Sequence, residues 1–234
     1  MDDFGDEDLT GVIMKTILFI SAVVILFILS CNDNPTKSGD KPLALALTVT
    51  DINDNPINGV NFHYIFYTGE DVVNRNAIIE YSLSATDTVT LNIYDPFKRL
   101  IATPLDQRVM LAGLYRIFFN GDTLTNGIYR YRFTRSTVSD SGKFLLRTDD
   151  SALLKTLPAL AQTDQNGQLN LNYSILGIGE TFEIYGNTIT PLQVTVSDSI
   201  TILLFKSGYH DYTGGIQLHT NTITEKTIKL TSDL

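Results

Sequence analysis

One cysteine, three histidines and no tryptophan among 234 residues leave little material for several kinds of chemistry. A lone thiol cannot close an internal disulfide, and no second cysteine or nearby histidine accompanies Cys31 to make a metal site. His63, His210 and His219 do not form a metal-spaced pair, and each reads as a surface or packing residue rather than a catalyst. Gly-x-Ser-x-Gly, a P-loop and His-Glu-x-x-His are all missing, which removes the familiar nucleophile, phosphate and zincin signatures. Basic residues are few as well. The 17 Lys and Arg face 26 Asp and Glu, whereas a nucleic-acid partner needs a basic patch for its phosphates. No cofactor and no nucleic acid are implied.

There is one long apolar stretch. Met14-Lys15-Thr16 leads into Ile17–Leu29, apolar except for Ser21, and then into Ser30-Cys31. A membrane-spanning helix needs about 18 apolar residues or more, so the run is too short to span and has the length of a secretory signal. Five of the 26 acids precede Met14, where a signal's first segment should be basic. Translation is therefore expected to start at Met14. Without those five, and without Lys15, 21 acids face 16 bases, a formal −5.

Ile28-Leu29-Ser30-Cys31 resembles the lipobox of bacterial lipoproteins. The resemblance implies cleavage before Cys31, a diacylglyceryl group on its thiol and an acylated amine. One acyl chain holds a membrane marginally and two or more hold it stably. Asn32 follows, not the Asp that retains some lipoproteins at the inner membrane, so an outer-membrane lipoprotein is expected, facing either the periplasm or the surface. Residues 1–30 are thus a signal and 31–41, polar and lacking apolar side chains after Cys31, a flexible tether.

Beyond the tether, 43% hydrophobic content with 11 Tyr and 12 Phe is enough to fill a core. Leu43, Leu45, Leu47 and Val49 alternate with Ala44, Ala46, Thr48 and Thr50, a period of two that predicts a half-buried strand. Val60, Phe62, Tyr64 and Phe66 predict a second strand, with His63 on the opposite face. Leu169, Leu171 and Tyr173 predict another. Asn120-Gly121 and Asn126-Gly127 fit tight turns that need positive φ. Tyr129, Tyr131 and Phe133 read as an aromatic wall. Residues 151–160 fit one short helical turn or a linker, and no longer run has helical periodicity. The fold class is all-β.

Pro56-Ile57-Asn58-Gly59-Val60, Thr163-Asp164-Gln165-Asn166-Gly167 and the strand ending at Gly208-Tyr209 resemble carboxypeptidase regulatory-like (prealbumin-like) domains. Between them, residues 77–147 resemble the Ig-like module of flagellar hook-capping proteins and type IX sorting domains. Val89-Thr90-Leu91-Asn92-Ile93-Tyr94-Asp95 and Asn126-Gly127-Ile128-Tyr129-Arg130-Tyr131 carry that likeness. Lys98 stands where that module usually has Gly, and Phe119 where it usually has Trp. The resemblances imply a prealbumin-like sandwich from 42–70 plus 150–234, with an Ig-like sandwich at 75–147 inserted. Two or three sandwiches in tandem are the alternative.

Two stretches are candidate sites. Asp51, Asn53 and Asp54 resemble the calcium linker of cadherins, where clustered oxygens suit a hard cation, but a plain hairpin turn explains the same residues. Tyr209, His210, Asp211 and Tyr212 could line a ligand groove at a loop end or form an exposed turn after Gly208. Together these features predict a lipid-anchored, non-enzymatic scaffold, adhesion or binding module. The alternative is an accessory of a secretion or polysaccharide-uptake assembly that recognises a glycan or partner subunit. Replacing Cys31 by Ala is expected to leave the chain unprocessed and unlabelled by radioactive palmitate. Retained label in that variant would remove the anchor from the account.

Overall fold

The computed structural model describes residues 43–69, 73–136, 138–184, 191–219 and 221–233. The signal, Cys31 and the tether lie outside them. Strands β1 (Leu43–Thr50) and β2 (Asn61–Phe66) flank the turn at 51–55. Next come β3 (Asn76–Leu83), β4 (Asp87–Tyr94), β5 (Leu100–Met110), β6 (Gly113–Asn120), β7 (Gly127–Arg135) and β8 (Val138–Leu146). Helix α1 (Ser151–Thr156), β9 (Ala161–Gln162), β10 (Gln168–Asn172) and helix α2 (Tyr173–Leu176) follow. The chain then forms β11 (Thr181–Ile184), β12 (Leu192–Thr195), β13 (Ser199–Phe205), β14 (Tyr212–Gln217) and β15 (Thr224–Lys229). The fold is all-β, and no helix among the described residues is long and apolar enough to cross a membrane.

Among the described residues the strands fall into two groups that exchange no ladder. β1 lies between β10, antiparallel, and β15, parallel, while β14-β13-β2-β9 and β11-β12 are antiparallel sheets. The second group, β3 to β8, forms a β3-β6 pair and a β5-β4-β7-β8 sheet. Pro104 is accommodated because β5 is an edge strand, where a missing N–H costs no ladder bond.

Alternation decides which side chains go inside. Leu45, Leu47 and Val49 of β1 meet Phe62, Tyr64 and Phe66 of β2 and Ile200, Ile202 and Leu204 of β13 in one core. The Tyr64 and Phe66 rings meet edge to face, 4.3 Å apart. Ala77, Ile79, Leu91, Ile93, Tyr129, Phe133, Phe144 and Leu146 make the second core, with Tyr131 packed at its margin. Ile128 and Leu145 point the other way from their neighbours and join the first core. The ends of β7 and β8 are therefore buried on both faces.

Gly121, Gly127 and Tyr173 depart from the sequence expectation, and His63, read as a surface or packing residue, is a packing one. His63 is 1% exposed, because a third cluster of Leu154, Leu203 and Phe205 covers the outer face of β2 and β13. Helix α1 places Leu154 there, and the Asp150 side chain caps the helix by accepting from the Leu153 N–H. Gly121 and Gly127 do not have positive φ. They are glycines because a Cβ would lie 2.4 Å from Leu146 Cδ1 and 2.7 Å from Pro96 Cγ respectively. Lys98, by contrast, does adopt φ +66°. Tyr173 does not continue β10; it opens α2, which Gly177 ends at φ 68°.

Where the chain passes between the two groups, buried polar groups close the gap. Asn74 and Arg147 exchange backbone hydrogen bonds of 2.9 and 2.7 Å. The Arg147 Nε donates to the Phe66 carbonyl at 3.1 Å. Asn126, fully buried, donates from Nδ2 to the carbonyls of Tyr64 and Thr148 at 2.9 and 2.7 Å, and its Oδ1 accepts from the Thr148 N–H. Asn126→Ala would strand three buried backbone groups, each at a cost of about 1–3 kcal/mol. We expect a loss of roughly 3 kcal/mol or more in urea unfolding, read as a lower midpoint at unchanged slope.

Candidate functional site

The turn at 51–55 is held by Asp51. Its Oδ1 accepts from the backbone N–H groups of Asn53 and Asn55 at 2.8 and 2.9 Å, and its Oδ2 accepts from the Asn55 side chain at 2.9 Å. Those bonds, the Asn55 side chain first, hold the Asp51 carboxyl below the usual carboxylate range. Asp54 takes φ 67° and pairs with Lys229 at 2.6 Å. Asp51 and Asn53 are thus brought together as a turn, while Asp54 faces a lysine. Among the described residues no group of three or more His, Cys, Asp or Glu is arranged to hold a metal ion. The chain runs back beside β1 only as far as Ile57, whose N–H donates to the Val49 carbonyl, and β2 then enters the other sheet.

Tyr209 to Tyr212 do not converge on one point. His210 Nδ1 lies 3.2 Å from an Asp233 carboxylate oxygen, and the Asp211 carboxylate accepts from Lys155 Nζ at 2.6 Å. The same ammonium sits 5.4 Å from the centre of the Phe205 ring. Tyr209 and Asp211 share a cleft of about 390 Å³ with Lys155, Phe205 and Asp233, while Tyr212 packs against the first core. Within this cleft Lys155 and Asp211 pair with each other, and Lys206 lines it as well.

A groove of about 720 Å³ escaped the sequence reading because it lies between strands far apart in the chain. One wall is β3 with Asn74, and the other is Glu180 with β11. Tyr131, Lys143 and Phe144 of β7 and β8 line it between them. Lys143 Nζ reaches the Glu180 carboxylate at 2.7 Å across this space. Outside the groove, Arg116 pairs with Glu80 on the outward face of the β3-β6 sheet. On the same face Phe118, opposite Ile78, is 65% exposed and Leu114 88%. No sequence signal marks these residues beyond their alternation, since edge position is a property of topology.

His63 has a strongly altered proton affinity. Its Nδ1 lies 3.0 Å from the Thr125 hydroxyl and its ring 5.5 Å from that of Phe205. Burial disfavours the imidazolium and pulls the pKa down to about 4. The unfolded chain, with a pKa of about 6.5, binds this proton first as pH falls. Stability is therefore complete above about pH 6.5 and is lost as pH drops towards about 4, by on the order of 3 kcal/mol. His63→Gln, which keeps a partner for Thr125, should flatten that part of a pH series of urea midpoints. An unchanged slope would assign the acid sensitivity elsewhere.

Comparison with known proteins gives no match: no family model, no curated protein and no solved structure matches this chain.

Proposed function

We propose that this chain is a lipid-anchored protein of the bacterial cell envelope whose folded part binds a partner and catalyses no reaction. Cys31, at the end of the lipobox-like Ile28-Leu29-Ser30-Cys31, carries the lipid, and the outer membrane is its site. The observation that carries the binding reading is the groove between β3 and β11. Its accessible lining is mostly polar, and its lysine pairs with the nearest glutamate. Such a lining suits holding a partner's polar groups better than moving protons, which asks for a base poised near neutral pH.

The domain arrangement belongs to the same proposal. A prealbumin-like sandwich from 42–70 and 150–234 carries an Ig-like sandwich at 75–147. Its support is that every ladder joins strands of the same segment set. A second reading, an accessory lipoprotein of a secretion or polysaccharide-uptake assembly, draws on the exposed apolar residues of the 75–147 segment. Val109, Leu111, Leu114 and Phe118 all stand out to solvent, as a contact with a partner subunit requires.

Protease treatment of intact cells tests the placement, with mass spectrometry of released peptides and detergent-lysed cells as control. Release of peptides from 77–147 by intact cells is the outcome for a surface-facing protein, and release only after lysis that for a periplasmic one. Recovery in the cytoplasmic fraction with the segment preceding Cys31 still attached would contradict the proposal.

A further inference from the structure

The geometry points to the β3–β11 groove as a strand-addition site that takes an extended, basic segment of a partner polypeptide. This deepens the proposed binding role and rests on it. Asn76 to Glu80 line one wall residue by residue, and Thr181 to Ile184 line the other in the same way. Neighbouring side chains of a strand point to opposite faces, so a wall built from every residue in turn is the strand's edge. Among the described residues β3 pairs only with β6 and β11 only with β12, so each strand keeps one edge outside its ladder. Two rows of backbone N–H and C=O groups therefore face one space. An unmet strand edge is a template for another strand.

The shape of the space selects among occupants. An added strand sits about 4.8 Å from each neighbour, so a gap between two edges admits one extended chain. A second copy of this protein would have to bring the edge of a folded sheet between the two walls. A single segment enters without that clash. It would join the two-stranded β3-β6 and β11-β12 sheets into one five-stranded ladder.

Charge selects the segment's chemistry. Glu80, Glu180 and Glu183 line the groove against Lys143, and Arg116 reaches Glu80 from the outward face. Three carboxylates against two cations leave one negative charge. Among the described residues, Glu183 has no cation paired with it and is exposed. A Lys or Arg in every second position of the segment would meet Glu183 at the rim. Its alternate side chains would face Phe144 and Tyr131.

The test is hydrogen exchange read by mass spectrometry on the full chain in detergent, with two decapeptide probes. One alternates Lys and Val; the other alternates Glu and Val. The Lys–Val peptide is expected to slow exchange at 76–80 and 181–184 roughly tenfold or more, as new ladder bonds protect those amides. The Glu–Val peptide should not. Glu183→Lys, a change at an exposed position, should weaken the Lys–Val effect several-fold at low salt and weaken it less at high salt. Slowing by neither peptide, equal slowing by both, or slowing confined to other strands would overturn the inference. So would full protection of 76–80 before any peptide is added, because the edges would then already be filled. None of these results touches the envelope assignment, which the protease experiment on cells decides by a separate readout.

Discussion

The chain leaves its first group of strands after Phe66 and returns after Leu146, and a small set of buried hydrogen bonds fixes both crossings. Asn74 and Arg147 bind each other's backbone, Arg147 reaches the Phe66 carbonyl, and Asn126 satisfies Tyr64 and Thr148. Apolar side chains could not take their place. The backbone groups at a crossing lie off any ladder, and a buried carbonyl or N–H without a partner costs more than a met one contributes. Arg147 is 3% exposed, and its bond to the Phe66 carbonyl and its pair with Asp149 at 3.9 Å replace part of its solvation. Once these polar groups are matched, Ile128 and Leu145 can turn into the first core while their neighbours fill the second.

The groove follows from the same constraint. Asn74 is clamped to Arg147 just before β3 begins, and Asn74 Nδ2 also holds the Leu145 carbonyl of β8 at 2.6 Å. The start of β3 is thus tied to the end of β8, and β8 is tied to the entry of β11 through Lys143 and Glu180. Two strand edges are held apart by contacts beneath them rather than by contacts between them. Short sheets normally hide or blunt their edges. Here the edges of β3 and β11 border the groove that the proposed strand addition would fill.

Much of this was legible in the sequence where a single strand face carries the information. Alternation placed β1, β2, β7 and β10, and the aromatic wall it marked puts Tyr129 and Phe133 in the second core with Tyr131 at its margin. The all-β class followed from that period. Features that need a third layer or a distant partner were not legible. His63 looked outward until α1 and Leu203 covered it, and Gly121 and Gly127 looked like turn residues when close approach of Leu146 and Pro96 is their reason. Asn126 reads as part of a turn signal, and nothing nearby reveals carbonyls 62 and 22 residues away. Among the sequence candidates, Asp51 became a turn anchor and Tyr209 to Tyr212 were split by their partners, while the groove residues stood in no motif. Cys31 rests on sequence alone.

The account's central claim is that the buried crossing makes residues 43–233 melt as one cooperative structure, which in turn holds the two edges at a fixed spacing. Scanning calorimetry of the full chain tests this most directly. One transition, with calorimetric and van't Hoff enthalpies equal, is the predicted result. Two resolved transitions, one for β3 to β8 and one for the remaining strands, would show that the crossing does not couple them and would contradict the account.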